Sequence, residues 1–106
     1  MKIIFDQGVP VPLRGHLGSH EVETAYERGW SLLKNGELIA ASEAEGFDAF
    51  VTTDQNLKYQ QNLKDRRIAI LVLLSTSWPR IQKNISDVVA AIEGLKPGDY
   101  AEVPIP

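Results

Sequence analysis

The chain reads as an α/β protein: a three-layer α/β/α sandwich around a mainly parallel sheet of four or five strands. Three observations predict this. Short apolar runs that suit strands alternate with segments of helical periodicity from one end of the chain to the other, the pattern of a parallel sheet covered by helices. The strongest run, Ile68 to Leu74, is apolar at every position, as a strand buried on both faces must be. The length of 106 residues is that of one small domain spanning the whole chain, which can bury roughly two-thirds of its unfolded surface.

Residues 2–5 form the first predicted strand. Pro10, Pro12 and Gly15 then suit a loop and a short helix over 11–17, with Gly18 as its stop. Residues 20–24 read as a short strand and 25–28 as one helical turn ended by Gly29. Asn35 is an expected N-cap, and Leu38, Ile39, Ala41, Ser42 and Glu45 define a helix with one apolar side that Gly46 terminates. Residues 48–53 are the third strand, 56–63 a short polar helix or loop, and 68–74 the central strand. Trp78-Pro79 marks a boundary before one long helix over 80–95, with Ile81, Ile85, Val88, Val89 and Ile92 at helical spacing. A turn at 96–99 leads to a last edge strand over 100–105, which Pro104 and Pro106 limit.

Composition narrows the function. Cysteine is absent, which excludes disulfides, thiolate metal sites and cysteine nucleophiles. The net charge is −3, so the strong basic footprint of a general nucleic-acid binder is missing. A nuclease with a carboxylate metal site can still be acidic. No apolar run approaches the length of a membrane span, and the first residues carry a charge too early for a signal peptide, so a cytoplasmic protein that engages no membrane is expected.

Asp6 and Asp54 each close a predicted strand. In a flavodoxin-like strand order, ligands bind beyond the carboxyl ends of the first and third strands, where the order reverses. Glu37 opens the helix leading into the third strand and reaches the pair if the loop over 29–34 folds across. Three converging carboxylates call for a cation, and oxygen ligands suit Mg²⁺ or Mn²⁺. Each also has a local reading: Asp6 and Asp54 as turn or capping residues, Glu37 as a partner of the helix dipole. Thr52 and Thr53 are strand residues that could also meet phosphate or water. Thr53, Asn56, Lys58 and Trp78 are the candidate substrate contacts. Lys58, Lys64, Arg66 and Arg67 form the one basic cluster. His16 and His20 flank a helix stop and read as surface or packing residues, as does Trp30.

The segments Met1-Lys2-Ile3-Ile4-Phe5-Asp6-Gln7-Gly8-Val9-Pro10, Asn35-Gly36-Glu37-Leu38 and Phe50-Val51-Thr52-Thr53-Asp54-Gln55-Asn56-Leu57 together resemble the PIN-like domain family, in its small stand-alone prokaryotic branch. The resemblance runs over about residues 1–80. It implies an α/β/α sandwich with Asp6, Glu37 and Asp54 as catalytic and metal-binding residues around Mg²⁺ or Mn²⁺. It further implies a metal-dependent endoribonuclease, the toxin of a toxin–antitoxin pair, with RNA and a cognate antitoxin protein as partners. Self-association into a homo-oligomer is also compatible with it. The chain departs from the family pattern at Gln7-Gly8, Asn35 and Asn56, where relatives often carry further acidic or amide groups. Fewer carboxylates imply weaker metal affinity, and an alternative follows: a weakly active or inactive module that keeps the scaffold and binds a protein or nucleic acid. An aspartyl-nucleophile hydrolase at Asp6 fits less well, since no second Asp follows closely.

Overall fold

The computed structural model describes residues 1–60 and 66–106. Lys64 of the basic cluster, and the end of the polar segment over 56–63, lie outside the described residues. Five strands, β1 (Lys2–Phe5), β2 (Glu21–Thr24), β3 (Ala49–Thr52), β4 (Ala69–Leu73) and β5 (Tyr100–Val103), form one sheet in the order β2-β1-β3-β4-β5, with every neighbouring pair parallel. This is the flavodoxin-like order, with its reversal between β1 and β3.

The central strands are buried at every position, β3 and β4 throughout and β1 after Lys2. Alternation along each strand sends successive side chains to opposite faces. Ile3, Phe5, Val51 and Leu71 join one apolar cluster; Ile4, Phe50, Ile70 and Val72 join another. The first cluster is completed by Leu13 of a 3-10 helix, Val11–His16, and by Ile81, Val88 and Ile92. The second is completed by Leu38 and Ile39 of α1 (Asn35–Ala44) and by Leu57 of α2 (Leu57–Gln60). The helices pack against the sheet through these apolar side chains.

Most boundaries fall within two residues of the sequence reading. The helix read over 11–17 is a 3-10 helix, the segment over 25–28 is a turn and not a helical one, and two differences go further. The single helix expected over 80–95 is two, α3 (Trp78–Lys83) and α4 (Ile85–Glu93). Asn84 breaks it: its side-chain amide turns back to the carbonyl oxygens of Arg80, at 2.9 Å, and Pro106, at 3.3 Å, and so competes with the regular ladder. Pro79 lies inside the first turn of α3, where proline loses no hydrogen bond, and Ser77 caps that turn by accepting from the Arg80 N–H. The second difference is at α1. Its N-cap is Lys34, and Asn35 is its first helical residue, which frees the Asn35 side chain for another partner.

Candidate functional site

β1 and β3 lie side by side in register, with Phe5 opposite Val51, so the residues that follow them emerge together at the carboxyl end of the sheet. Asp6 follows β1 directly, and its N–H donates to the Val51 carbonyl. Asp54 follows β3 after Thr53. Thr52, fully buried, contacts both residues. Its hydroxyl donates to Asp6 Oδ2 at 2.8 Å and accepts from the Asp54 N–H at 3.1 Å.

The two aspartates divide their oxygens in the same way. Asp6 Oδ1 accepts from the Gln7 N–H at 2.8 Å, and Asp54 Oδ1 accepts from the Asn56 N–H at 3.0 Å, each closing a local turn. The Oδ2 atoms serve tertiary partners, Thr52 for Asp6 and the Asn35 amide for Asp54. One oxygen of each carboxylate thus serves a local partner and the other a tertiary one.

The loop before α1 does fold across. Its Ser31 carbonyl accepts from Gln7 Nε2 at 3.4 Å. It delivers Asn35 to Asp54, whereas the exposed Glu37 turns back along its own helix, where Oε1 accepts from the Lys34 N–H at 3.3 Å. A second close approach joins the strand ends: a Cβ added at Gly8 would lie 2.4 Å from Thr53 Oγ1. Only a residue without a side chain lets the turn after β1 meet Thr53 in that conformation.

The other candidates have partners of their own. Lys58 Nζ pairs with Glu102 at 3.1 Å, which holds its pKa above the usual lysine value. Glu102 also accepts from the Tyr100 hydroxyl at 2.8 Å, and that bond, followed by the one from Lys58, keeps its carboxyl below the usual range. Tyr100 itself is pushed up, first by burial and then by Glu102. Asn56 is exposed, with its N–H spent on Asp54. Trp78 is half-buried against the first apolar cluster and tilts against His16, with ring centres 5.8 Å apart. His20 bridges the Met1 amino group and Glu93, and Trp30 packs edge-on to Phe47.

Asp6 and Asp54 are the strand-ending carboxylates that could hold a cation. The Asp6 carboxylate and the Asp54 backbone N–H meet at one hydroxyl, and among the described residues neither carboxylate takes part in an ion pair. Mg²⁺ is commonly held by one or two carboxylates, with waters and substrate phosphate completing its octahedron. No cluster of three or more acidic or histidine side chains able to hold a metal occurs among the described residues.

The sequence reading weighed Thr52 only as a possible ligand of phosphate or water and missed it as the link. The signal was present: a hydroxyl closing a strand buried on both faces needs a polar partner nearby. Asn35 as partner of Asp54 and Gly8 as the point of close approach had no comparable signal. No family model, curated protein or solved structure matches the chain.

Proposed function

We propose that this protein is a PIN-like ribonuclease that hydrolyses RNA phosphodiesters with a Mg²⁺ or Mn²⁺ ion held by Asp6 and Asp54. The parallel sheet with helices on both faces is then the α/β/α sandwich of that family. The observation that carries the reading is the shared contact of both strand-ending aspartates with the buried Thr52 hydroxyl. It links the Asp6 carboxylate to the Asp54 backbone at the carboxyl ends of β1 and β3, the region where this class of fold binds its ligands. Bound there, the ion would supply an activated water and neutralise charge developing on the phosphoryl group. Asp6 and Asp54 would hold it, Thr52 would orient Asp6, and Asn35 would orient Asp54. Glu37, engaged with Lys34, is left to its helix.

Purified protein is incubated with single-stranded RNAs of mixed sequence and millimolar Mn²⁺. Cleavage is expected, with loss on chelation and in Asp6→Asn and Asp54→Asn. Intact RNA throughout would overturn the catalytic reading. A toxin role predicts growth arrest on expression, relieved by a cognate antitoxin protein; arrest in Asp6→Asn as severe as in the wild type would contradict it.

One observation favours the second reading, a binding module of low activity. Asn35 meets Asp54 with an amide where relatives in the family it resembles often carry an acid, so the ion is offered one negative charge fewer. RNA binding without cleavage at any Mn²⁺ concentration would select that reading.

A further inference from the structure

A cleft of about 580 Å³ opens beside Asp6, at the carboxyl ends of β1 and β2, within the roughly 300–1,000 Å³ range of small-ligand sites. Asp6 lines it. Arg14 and Glu27 stand in its wall, and Gln7 offers an amide able to donate and accept. Two apolar groups line it while facing solvent: Tyr26 is 77% exposed and Val11 50% exposed. Nothing in the packing accounts for a tyrosine left so bare. The turn that carries it is held by backbone bonds from Gly29 to Tyr26 and from Trp30 to Ala25, so the ring is presented from a fixed base. Arg14 is held too: its Nη1 donates to Glu27 Oε1 at 2.8 Å and to the Val22 carbonyl at 3.4 Å.

We infer that this cleft seats one unpaired nucleotide next to the scissile phosphate, with its base stacked on Tyr26. The inference rests on the reading of Asp6 as an ion ligand, since a cation there offsets the Asp6 and Glu27 carboxylates that would otherwise repel a phosphate. The cleft brings together the kinds of group that a nucleotide requires: the Asp6 carboxylate for a cation-bound phosphate, the Tyr26 ring with the aliphatic Val11 for a base, and an amide and a guanidinium for polar contacts. Stacking on an open tyrosine face is indifferent to base identity, so the substrate class is single-stranded RNA of relaxed sequence. A paired base cannot expose its face to Tyr26, which excludes duplex.

The test uses adenosine 5′-monophosphate, which carries no phosphodiester to cleave, titrated in the presence of Mg²⁺ and followed by proton NMR. The Tyr26 ring resonances should move upfield and saturate, while ribose 5-phosphate, lacking the base, should leave them in place. Tyr26→Phe should bind within about twofold of wild type, and Tyr26→Ala should bind roughly 5- to 150-fold more weakly, the loss of one base–aromatic stack. Unmoved Tyr26 resonances, or an unchanged affinity in Tyr26→Ala, would overturn the subsite. RNA cleavage is measured in parallel. Cleavage indifferent to Tyr26→Ala overturns the subsite and leaves the nuclease reading standing. Tyr26-dependent binding without any cleavage does the reverse. Neither binding nor cleavage overturns both.

Discussion

Thr52 Oγ1 lies 2.8 Å from Asp6 Oδ2 and donates to it, and the same oxygen accepts the N–H of Asp54. One buried hydroxyl thereby ties together the ends of β1 and β3. Thr52→Val keeps the shape of the side chain and removes both bonds. Hydrogen bonds to charged groups are worth about 1.5–3 kcal/mol, so stability by urea titration should fall by about that much. If the pair holds an ion, its affinity should fall about 10–100-fold, the usual effect of losing an orienting partner. Thr52→Ser should recover most of both. Equal stability in Thr52→Val would show that the link carries no weight.

Asn35→Asp sets a carboxylate against Asp54 in place of an amide. In metal-free buffer near neutral pH the variant should lose about 1–3 kcal/mol, because a donor becomes a like charge. The loss should shrink as pH falls below the carboxylate range, where one of the pair takes up a proton. Millimolar Mn²⁺ should restore its melting temperature above that of metal-free wild type. A melt insensitive to both pH and Mn²⁺ would contradict the placement of Asn35.

Gly8→Ala puts a methyl group against Thr53 Oγ1. The hydroxyl must rotate away, and the segment carrying Asp54 shifts with it. We expect a destabilisation of about 1–3 kcal/mol, typical of overpacking. The Thr53 Cβ lies at 3.8 Å from the added carbon, an ordinary contact, so Thr53→Ala in the same chain should relieve most of the cost. Additive losses in the double variant would rule out this contact as the cause.

The Glu102 carboxyl is held below its usual range by the Tyr100 hydroxyl and then by Lys58. A carboxylate depressed in the folded state stabilises the fold at pH values above its unfolded pKa, about 4.3, and loses that contribution as pH falls through the folded value. Tyr100→Phe removes the largest cause. In a carboxyl-carbon NMR titration the Glu102 midpoint should rise toward the ordinary glutamate value, and further in a variant that also carries Lys58→Met. A midpoint unmoved by either change would refute the network.

Much of the fold was legible because burial leaves a plain mark. β3 and β4 are buried on both faces, so their residues are apolar without alternation, and α4 shows its core side through Val88 and Ile92. The break at Asn84 escaped notice because the apolar spacing runs unbroken across it; only the side chain's competition with the backbone interrupts the helix. At the site, the two aspartates stood out by their position at strand ends. Glu37 was expected beside them because it opens the helix leading into the third strand and the family resemblance adds it to the acidic set, yet a helix start presents several side chains in different directions. Which of them meets a neighbouring strand depends on the path of the loop over 29–34. Sequence spacing does not encode that path, and Asn35 is the residue it delivers.

Calorimetric titration of Mn²⁺ into the metal-free protein tests the central claim most directly. The account predicts one saturable site per chain, lost in Asp6→Asn and in Asp54→Asn and kept in Glu37→Gln. No heat from the wild-type chain at millimolar Mn²⁺, or undiminished binding in either asparagine variant, would contradict it.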